Sequence, residues 1–290
     1  MAQITAALVK ELREMTGAGM MECKKALTEA EGSIEKAVDV LRTRGLAAVA
    51  KKAGRATNEG TVMALVSDDG HDGALVELNC ETDFVGMNEK FKAYAEKIAR
   101  AVLAAKPADL DALKAATIDG ETVEEVVTDA IHTLGENIQL SRFAYVSAPE
   151  GGVASYIHGG GKIGVLVEFG LGDPSLATND DFQKYGRDVA MQVAAANPVA
   201  ATRESVPADV VEHEKGIYKA QAAESGKPEN IQEKMATGRL EKFYKENCLT
   251  EQPFVKNPDQ SVTQYTEEVA KALGTQISIV GFIRFMLGEE

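Results

Sequence analysis

Cysteine is scarce: the 290 residues hold three, Cys23, Cys80 and Cys248, odd in number and far apart. That excludes a disulfide framework or a Cys-x-x-Cys metal clip and predicts reduced thiols. The four histidines, His71, His132, His158 and His213, lack metal-ligand spacing, and none stands beside a motif-bearing serine or cysteine. No apolar run approaches the roughly 18 to 20 residues that a membrane-spanning helix needs. Residues 1–5 pass directly into an amphipathic pattern containing Lys10, Glu11 and Arg13, so no apolar signal-peptide core is present and a cytoplasmic protein is expected. Positive charge is in deficit. With 31 basic against 45 acidic residues the net charge is −14, a sign that opposes the phosphate neutralisation behind general nucleic-acid binding.

What is present is globular: 44% of residues are apolar and 26% charged, over a length that suggests about two domains. The charge is uneven. Residues 1–55 carry 10 Lys and Arg against 7 Asp and Glu, leaving the remainder at −17, which marks a separate first unit. In that unit Ile4, Leu8, Leu12 and Met15 recur as one helical stripe, and Thr16-Gly17-Ala18-Gly19 breaks it. A second helix from about Met20 puts Cys23, Ala26 and Leu27 on one face. Gly32-Ser33 ends it and caps a third helix, striped by Ile34, Val38 and Leu41 and closed by the basic turn and glycine of residues 42–45. Met20 and Met21 follow a Gly-rich bend, either as core or as outward-facing, adaptable contacts. Residues 46–60 read as an alanine-rich linker, helical or not, whose Lys51, Lys52 and Arg55 form a solvated face or, less simply, a nucleic-acid site.

The remainder repeats itself. Residues 60–105 superpose without a gap on 151–196 at an offset of 91, with 14 identities in 46, among them Gly60/Gly151, Gly73/Gly164, Leu75/Leu166, Phe91/Phe182 and Tyr94/Tyr185. Each copy predicts two strands around a Gly-rich turn and then a helix. Leu134-Gly135 to Phe143 matches Leu273-Gly274 to Phe282 at an offset of 139, a helix end followed by a strand. The second copy therefore holds 48 extra residues, placed between Pro198 and about Asn247, where two helical patterns flank Gly226-Lys227-Pro228 and predict a helical hairpin.

No catalytic constellation emerges. His158-Gly159-Gly160-Gly161-Lys162 fails as a phosphate loop, because Ile163 follows the lysine and the leading glycine is missing. The repeat makes it a hairpin turn. The copies diverge after their second strand, where only the first has Thr82-Asp83-Phe84-Val85. Thr82 or Asp83 caps the helix of Phe91, with Phe84 and Val85 as staple residues, or else Phe84 is an exposed aromatic wedge beside a carboxylate.

Residues 8–13 and 16–27, the Thr82-Asp83-Phe84-Val85 segment and the ending Gly281-Phe282-Ile283-Arg284-Phe285 resemble bacterial translation elongation factor Ts over nearly the whole chain. The resemblance implies an α+β fold: a ubiquitin-associated-like three-helix head (1–54), core subdomains at 55–147 and at 148–198 with 246–290, and a helical-hairpin insertion at 199–245. Some members dimerise through that insertion, giving a homodimer within a 2:2 complex. It also implies the activity, guanine-nucleotide exchange on the GTPase elongation factor Tu, with no catalytic residue, cofactor or metal in the factor itself. Asp83 and Phe84, with Thr82 and Val85, match the segment that intrudes beside the GTPase's magnesium. Arg13, Met20, Met21 and Lys24 match head contacts, Leu134 and Gly135 a contact loop, and His158 a core contact. Many members carry a further C-terminal helix on the GTPase, and this sequence stops at Glu290, so that contact is expected to be missing or replaced. A nucleotide-using enzyme acting through residues 159–162 and an RNA-binding head acting through Lys51, Lys52 and Arg55 are the rival functions.

Overall fold

The computed structural model describes residues 4–16, 18, 20–52 and 54–289, with side chains at all of these except 44–51. Gly17 and Gly19 of the predicted break, and the side chain of Lys51, lie outside the described residues. Three helices form the head: α1 (Ala6–Thr16), α2 (Met20–Glu29) and α3 (Ile34–Lys52). Leu12, Cys23, Ala26, Leu27 and Ala37 are fully buried between them. Gly32 takes the left-handed conformation that ends α2, and Ser33 accepts a hydrogen bond from the Lys36 amide at the start of α3.

Two expectations for the head are corrected. Met15 is 63% exposed and Val9 is buried instead, because the buried stripe of α1 centres on Val9 and Leu12 and leaves Met15 at its edge. The third helix does not stop at residues 42–45 but runs on through Gly45 to Lys52. The alanine-rich continuation has high helix propensity, which outweighs the roughly 1 kcal/mol cost of one interior glycine.

The core is a duplication. Strands β1 (Glu59–Val66) and β2 (Asp72–Cys80) lead through a one-turn helix, α4 (Asp83–Gly86), to α5 (Glu89–Ala105). After α6 (Leu110–Ala115) and the short β3 (Thr117–Ile118) and β4 (Glu121–Thr122), α7 (Val123–Leu134) and β5 (Ile138–Ser147) complete the first copy. The second copy runs β6 (Gly151–His158), β7 (Ile163–Leu171) and α8 (Asp180–Ala196), then α9 (Ala208–Ala223) and α10 (Glu229–Asn247). It closes with β8 (Pro253–Phe254), β9 (Asn257–Ser261), α11 (Val262–Leu273) and β10 (Ile277–Met286). The sheets are antiparallel, in the orders β1-β2-β5 and β10-β7-β6, so the strand order is the same in both. Even the bulges correspond, leaving Ser141 unpaired in β5 and Val280 unpaired in β10. Helices α7 and α11 both start with a capping box, Thr122/Glu125 and Ser261/Gln264, and end on a left-handed glycine, Gly135 and Gly274.

Each sheet buries one face under its own helices, around Val76, Leu78, Phe91 and Ile98 in one copy and Val167, Phe169, Phe182 and Tyr185 in the other. The other faces meet through Val62, Leu75, Val153, Leu166 and Phe285. The contacts there are reciprocal: the Val62 amide donates to the Gly161 carbonyl at 2.7 Å and the Val153 amide to the Gly70 carbonyl at 2.8 Å. Val62/Val153 and Gly70/Gly161 are repeat equivalents, so the two copies face each other about a pseudo-twofold axis. The interface is sealed by buried Glu77, which holds Arg142 at 2.7 Å, while the Arg142 guanidinium lies 4.2 Å from the Phe285 ring.

The extra residues of the second copy form α9 and α10, joined at Gly226 in the left-handed conformation. At their base Ala200, Val206, Phe243 and Cys248 are buried, and Arg203 clamps Glu241 and Glu251. Val199, Ala200 and Ala201 belong to that base, since Leu249 and Thr250 donate to the carbonyls of Ala200 and Ala201. Deleting residues 212–239 with a short Gly-Ser bridge, which spares this base, is therefore expected to leave a core that unfolds in one cooperative transition, with a melting temperature within a few degrees of the full chain. A molten or insoluble product in calorimetry or light scattering would show that the helix pair is integral to the core.

Candidate functional site

The segment found in one copy only forms α4. Thr82 is its N-cap, accepting from the Val85 amide at 3.4 Å, whereas the helix of Phe91 is capped by Asn88, which accepts from Lys90 at 2.9 Å. A one-turn helix with its own cap thus separates the segment from α5. Val85 is half-buried against the first core and Gly86 is packed on Gly60, where a Cβ would stand 2.9 Å from the Gly60 carbonyl oxygen. Phe84 is 83% exposed, so it is no staple, and Asp83 beside it is exposed too. In the second copy the equivalent turn is a 3-10 helix, Pro174–Thr178, with no aromatic residue.

The start of α4 is tied to the loop after α7. One Glu136 carboxylate oxygen accepts from the Glu81 and Thr82 amides, each at 3.0 Å, and the other from the Thr82 hydroxyl at 2.6 Å. Glu81 answers by accepting from the Asn137 amide at 2.6 Å and from Arg55 at 3.3 Å. The Asn137 N–H, then the Arg55 guanidinium, hold the Glu81 carboxyl below its ordinary value. Leu134 is half-buried as the last residue of α7, and Gly135 is its exposed left-handed cap. Residues 82–85 and 134–135 are thus neighbours, a proximity their separation in sequence does not reveal.

His158 is exposed at the end of β6, its Nδ1 3.1 Å from the Tyr156 hydroxyl. Gly159, Gly160 and Gly161 all have positive φ, and the turn they make joins two paired strands. A phosphate loop needs a helix at that point, so the geometry is that of a hairpin. Because Gly161 accepts from Val62, two residues beyond the Gly60 that supports α4, this turn reaches the same end of β1.

The head residues form a second set. Met20 and Met21, 59% and 65% exposed, lie with exposed Lys24 on α2, and exposed Arg13 is near the end of α1. The apolar reading of both methionines as core therefore fails. Lys52 and Arg55 are engaged internally: Lys52 Nζ donates to the Ile131 carbonyl at 3.2 Å, and Arg55 pairs with Glu81. Burial, and then the neighbouring Arg55, push the Lys52 ammonium below its ordinary value.

Burial pushes the Cys80 thiol up to about 12 and the Cys248 thiol up to about 11, which leaves negligible thiolate at neutral pH. Among the described residues no group of three His, Cys, Asp or Glu side chains is placed to hold a metal, and no helix is long and apolar enough to cross a membrane. The residues that the sequence did not single out are Glu81, Glu136 and Asn137. Comparing the repeats would have found them, since the second copy has Gly172, Thr275 and Gln276 there.

Fold and site define a duplicated α+β protein with a helical head, in which Met20, Met21, Asp83 and Phe84 are exposed. The model of the family described as Elongation factor TS matches residues 81–289. The elongation factor Ts of Trichlorobacter lovleyi is 50% identical over 289 residues, 99% of this chain and 93% of that protein. Those of Clostridium botulinum strain Alaska E43 and Syntrophotalea carbinolica are also 50% identical, over 99% of this chain and 93% and 94% of their own lengths. The chain belongs to the elongation factor Ts family, whose members are exchange factors of translation elongation.

Proposed function

We propose that this chain binds the GTPase elongation factor Tu in the cytoplasm and releases its GDP without catalytic groups of its own. The observation that carries this is Phe84, an aromatic ring 83% exposed on a one-turn helix beside an exposed carboxylate. Such a ring has no packing role in the free protein, and an exposed aromatic of this kind serves as an interface anchor. The mechanism is linkage: a partner that binds the nucleotide-free GTPase more tightly than the GDP form lowers GDP affinity by the same factor. Phe84 entering between helices of the GTPase and Asp83 beside its magnesium supply that difference. Leu134, Gly135 and His158 extend the contact from the same end of the core, and the head holds the nucleotide-binding domain through Arg13, Met20, Met21 and Lys24.

Release of fluorescently labelled GDP from the cognate GTPase tests the proposal directly, and an unaltered release rate at saturating factor would overturn it. Affinity and release separate in the head. Replacing Met20 and Met21 together by serine is expected to weaken association by roughly threefold to tenfold, as loss of two exposed apolar contacts of about 1 kcal/mol in sum, with release at saturation unchanged. Titration of factor against labelled-GDP release checks both numbers.

A further inference from the structure

Phe84 owes its position to its backbone alone, because a ring this exposed is held by no packing of its own. Helix α4 is a single turn, and one turn of helix does not pay back the ordering of its residues unless its ends are anchored. Its C-terminal end is anchored by Val85 on the core and by Gly86 on Gly60. At its N-terminal end the Thr82 cap bond is long, 3.4 Å, and Glu136 accepts three shorter ones: from two amides at 3.0 Å and from the Thr82 hydroxyl at 2.6 Å. Hydrogen bonds to an ionised acceptor are among the stronger ones. We infer that Glu136 is a positioning residue for the Phe84 wedge: its carboxylate fixes the start of α4 and so aims the ring. The inference rests on the proposed exchange function.

The second copy provides an internal control. There the equivalent loops meet through one backbone bond, the Gly172 amide donating to the Gln276 carbonyl at 2.9 Å, and the turn that follows carries no wedge. The crossed pair, Glu136 on residues 81–82 and Glu81 on the Asn137 amide, occurs in the copy that presents Phe84. Arg55 adds its guanidinium at 3.3 Å from Glu81, while its carbonyl accepts from Asn137 Nδ2 at 2.8 Å, so the chain leaving the head ends on the same lock.

Four proteins test this: the native chain, Glu136→Ala, Phe84→Ala and the double variant, each assayed for labelled-GDP release at subsaturating factor. Amide hydrogen exchange at Glu81 and Thr82 is followed in the free native and Glu136→Ala chains. With Glu136 as a positioning residue, Glu136→Ala exchanges those amides at least about tenfold faster and slows GDP release at least about threefold. On the Phe84→Ala background it adds less than about 1.5-fold, because the group it aims is gone. An equal loss on both backgrounds, as a merely structural residue would give, overturns the inference, and so does unchanged amide exchange. If Phe84→Ala slows release and Glu136→Ala does not, the inference alone falls. If Phe84→Ala has no effect, the wedge falls and the positioning role with it. Glu136→Gln keeps the shape and one acceptor oxygen, and it is expected to give the same pattern at smaller amplitude, serving as the variant of record if the alanine protein does not fold.

Discussion

Phe84→Ala is expected to slow GDP release from the partner GTPase at least about tenfold at subsaturating factor. Aromatic anchors buried on binding commonly cost on the order of 2 kcal/mol or more when truncated, and ~1.4 kcal/mol is a factor of ten. The free protein, by contrast, barely registers the change: the ring is 83% exposed, so its loss opens no cavity and the melting temperature stays within about a degree. Asp83→Ala acts in the same direction by a smaller margin, because a carboxylate that stays partly solvated perturbs a nearby metal site only weakly. Were Thr82, Asp83 and Phe84 a cap and staple alone, both variants would melt lower and release GDP at the normal rate. Thermal melting and GDP release on the same two proteins separate the cases.

A large loss of stability is expected at the meeting of the two sheets, from Gly164→Val. A Cβ at Gly164 would stand 2.4 Å from Val62 Cγ1 and 2.8 Å from Leu75 Cδ1, both across the interface. Its repeat equivalent Gly73 has the mirror problem, 2.7 Å from Val153 Cγ1. These glycines are there for closeness of approach, since neither has a positive φ. Added volume must push the sheets apart or force side chains off their rotamers, and overpacking of this kind costs about 1–3 kcal/mol. A loss near the top of that range lowers the melting temperature by roughly 5 to 10 °C. Because the closest atom belongs to Val62, adding Val62→Ala is expected to recover part of the loss. A melting temperature unchanged by Gly164→Val would mean that the sheets are not packed this closely.

Much of the architecture was legible in the chain because it is written there twice. The offsets of 91 and 139 predicted that α5 would match α8 and that α7 and β5 would match α11 and β10, and the elements fall at those intervals. Helical stripes placed Cys23, Ala26, Leu27 and Leu41 in the head core, and the divergence between the copies drew attention to Phe84. These are local or repeated patterns, and periodicity carries them without knowledge of what packs where.

Other features depend on which distant residues become neighbours. Cap-and-staple and wedge share one local sequence at residues 82–85, and only the absence of packing over the Phe84 ring distinguishes them. Sequence placed the head helices, but the exposure of Met15 was settled by the choice of Val9 and Leu12 as the buried face. The bond from Thr82 to Glu136 spans 54 residues and joins two loops that no periodicity links. The reciprocal Val62–Gly161 and Val153–Gly70 bonds likewise exist only once the duplicated sheets face each other. Sequence by itself determined the family, the duplication and the exceptional segment. Tertiary structure decided that Phe84 stands free and that a carboxylate from another loop holds its turn, because exposure and hydrogen bonding between loops are properties of the packed chain.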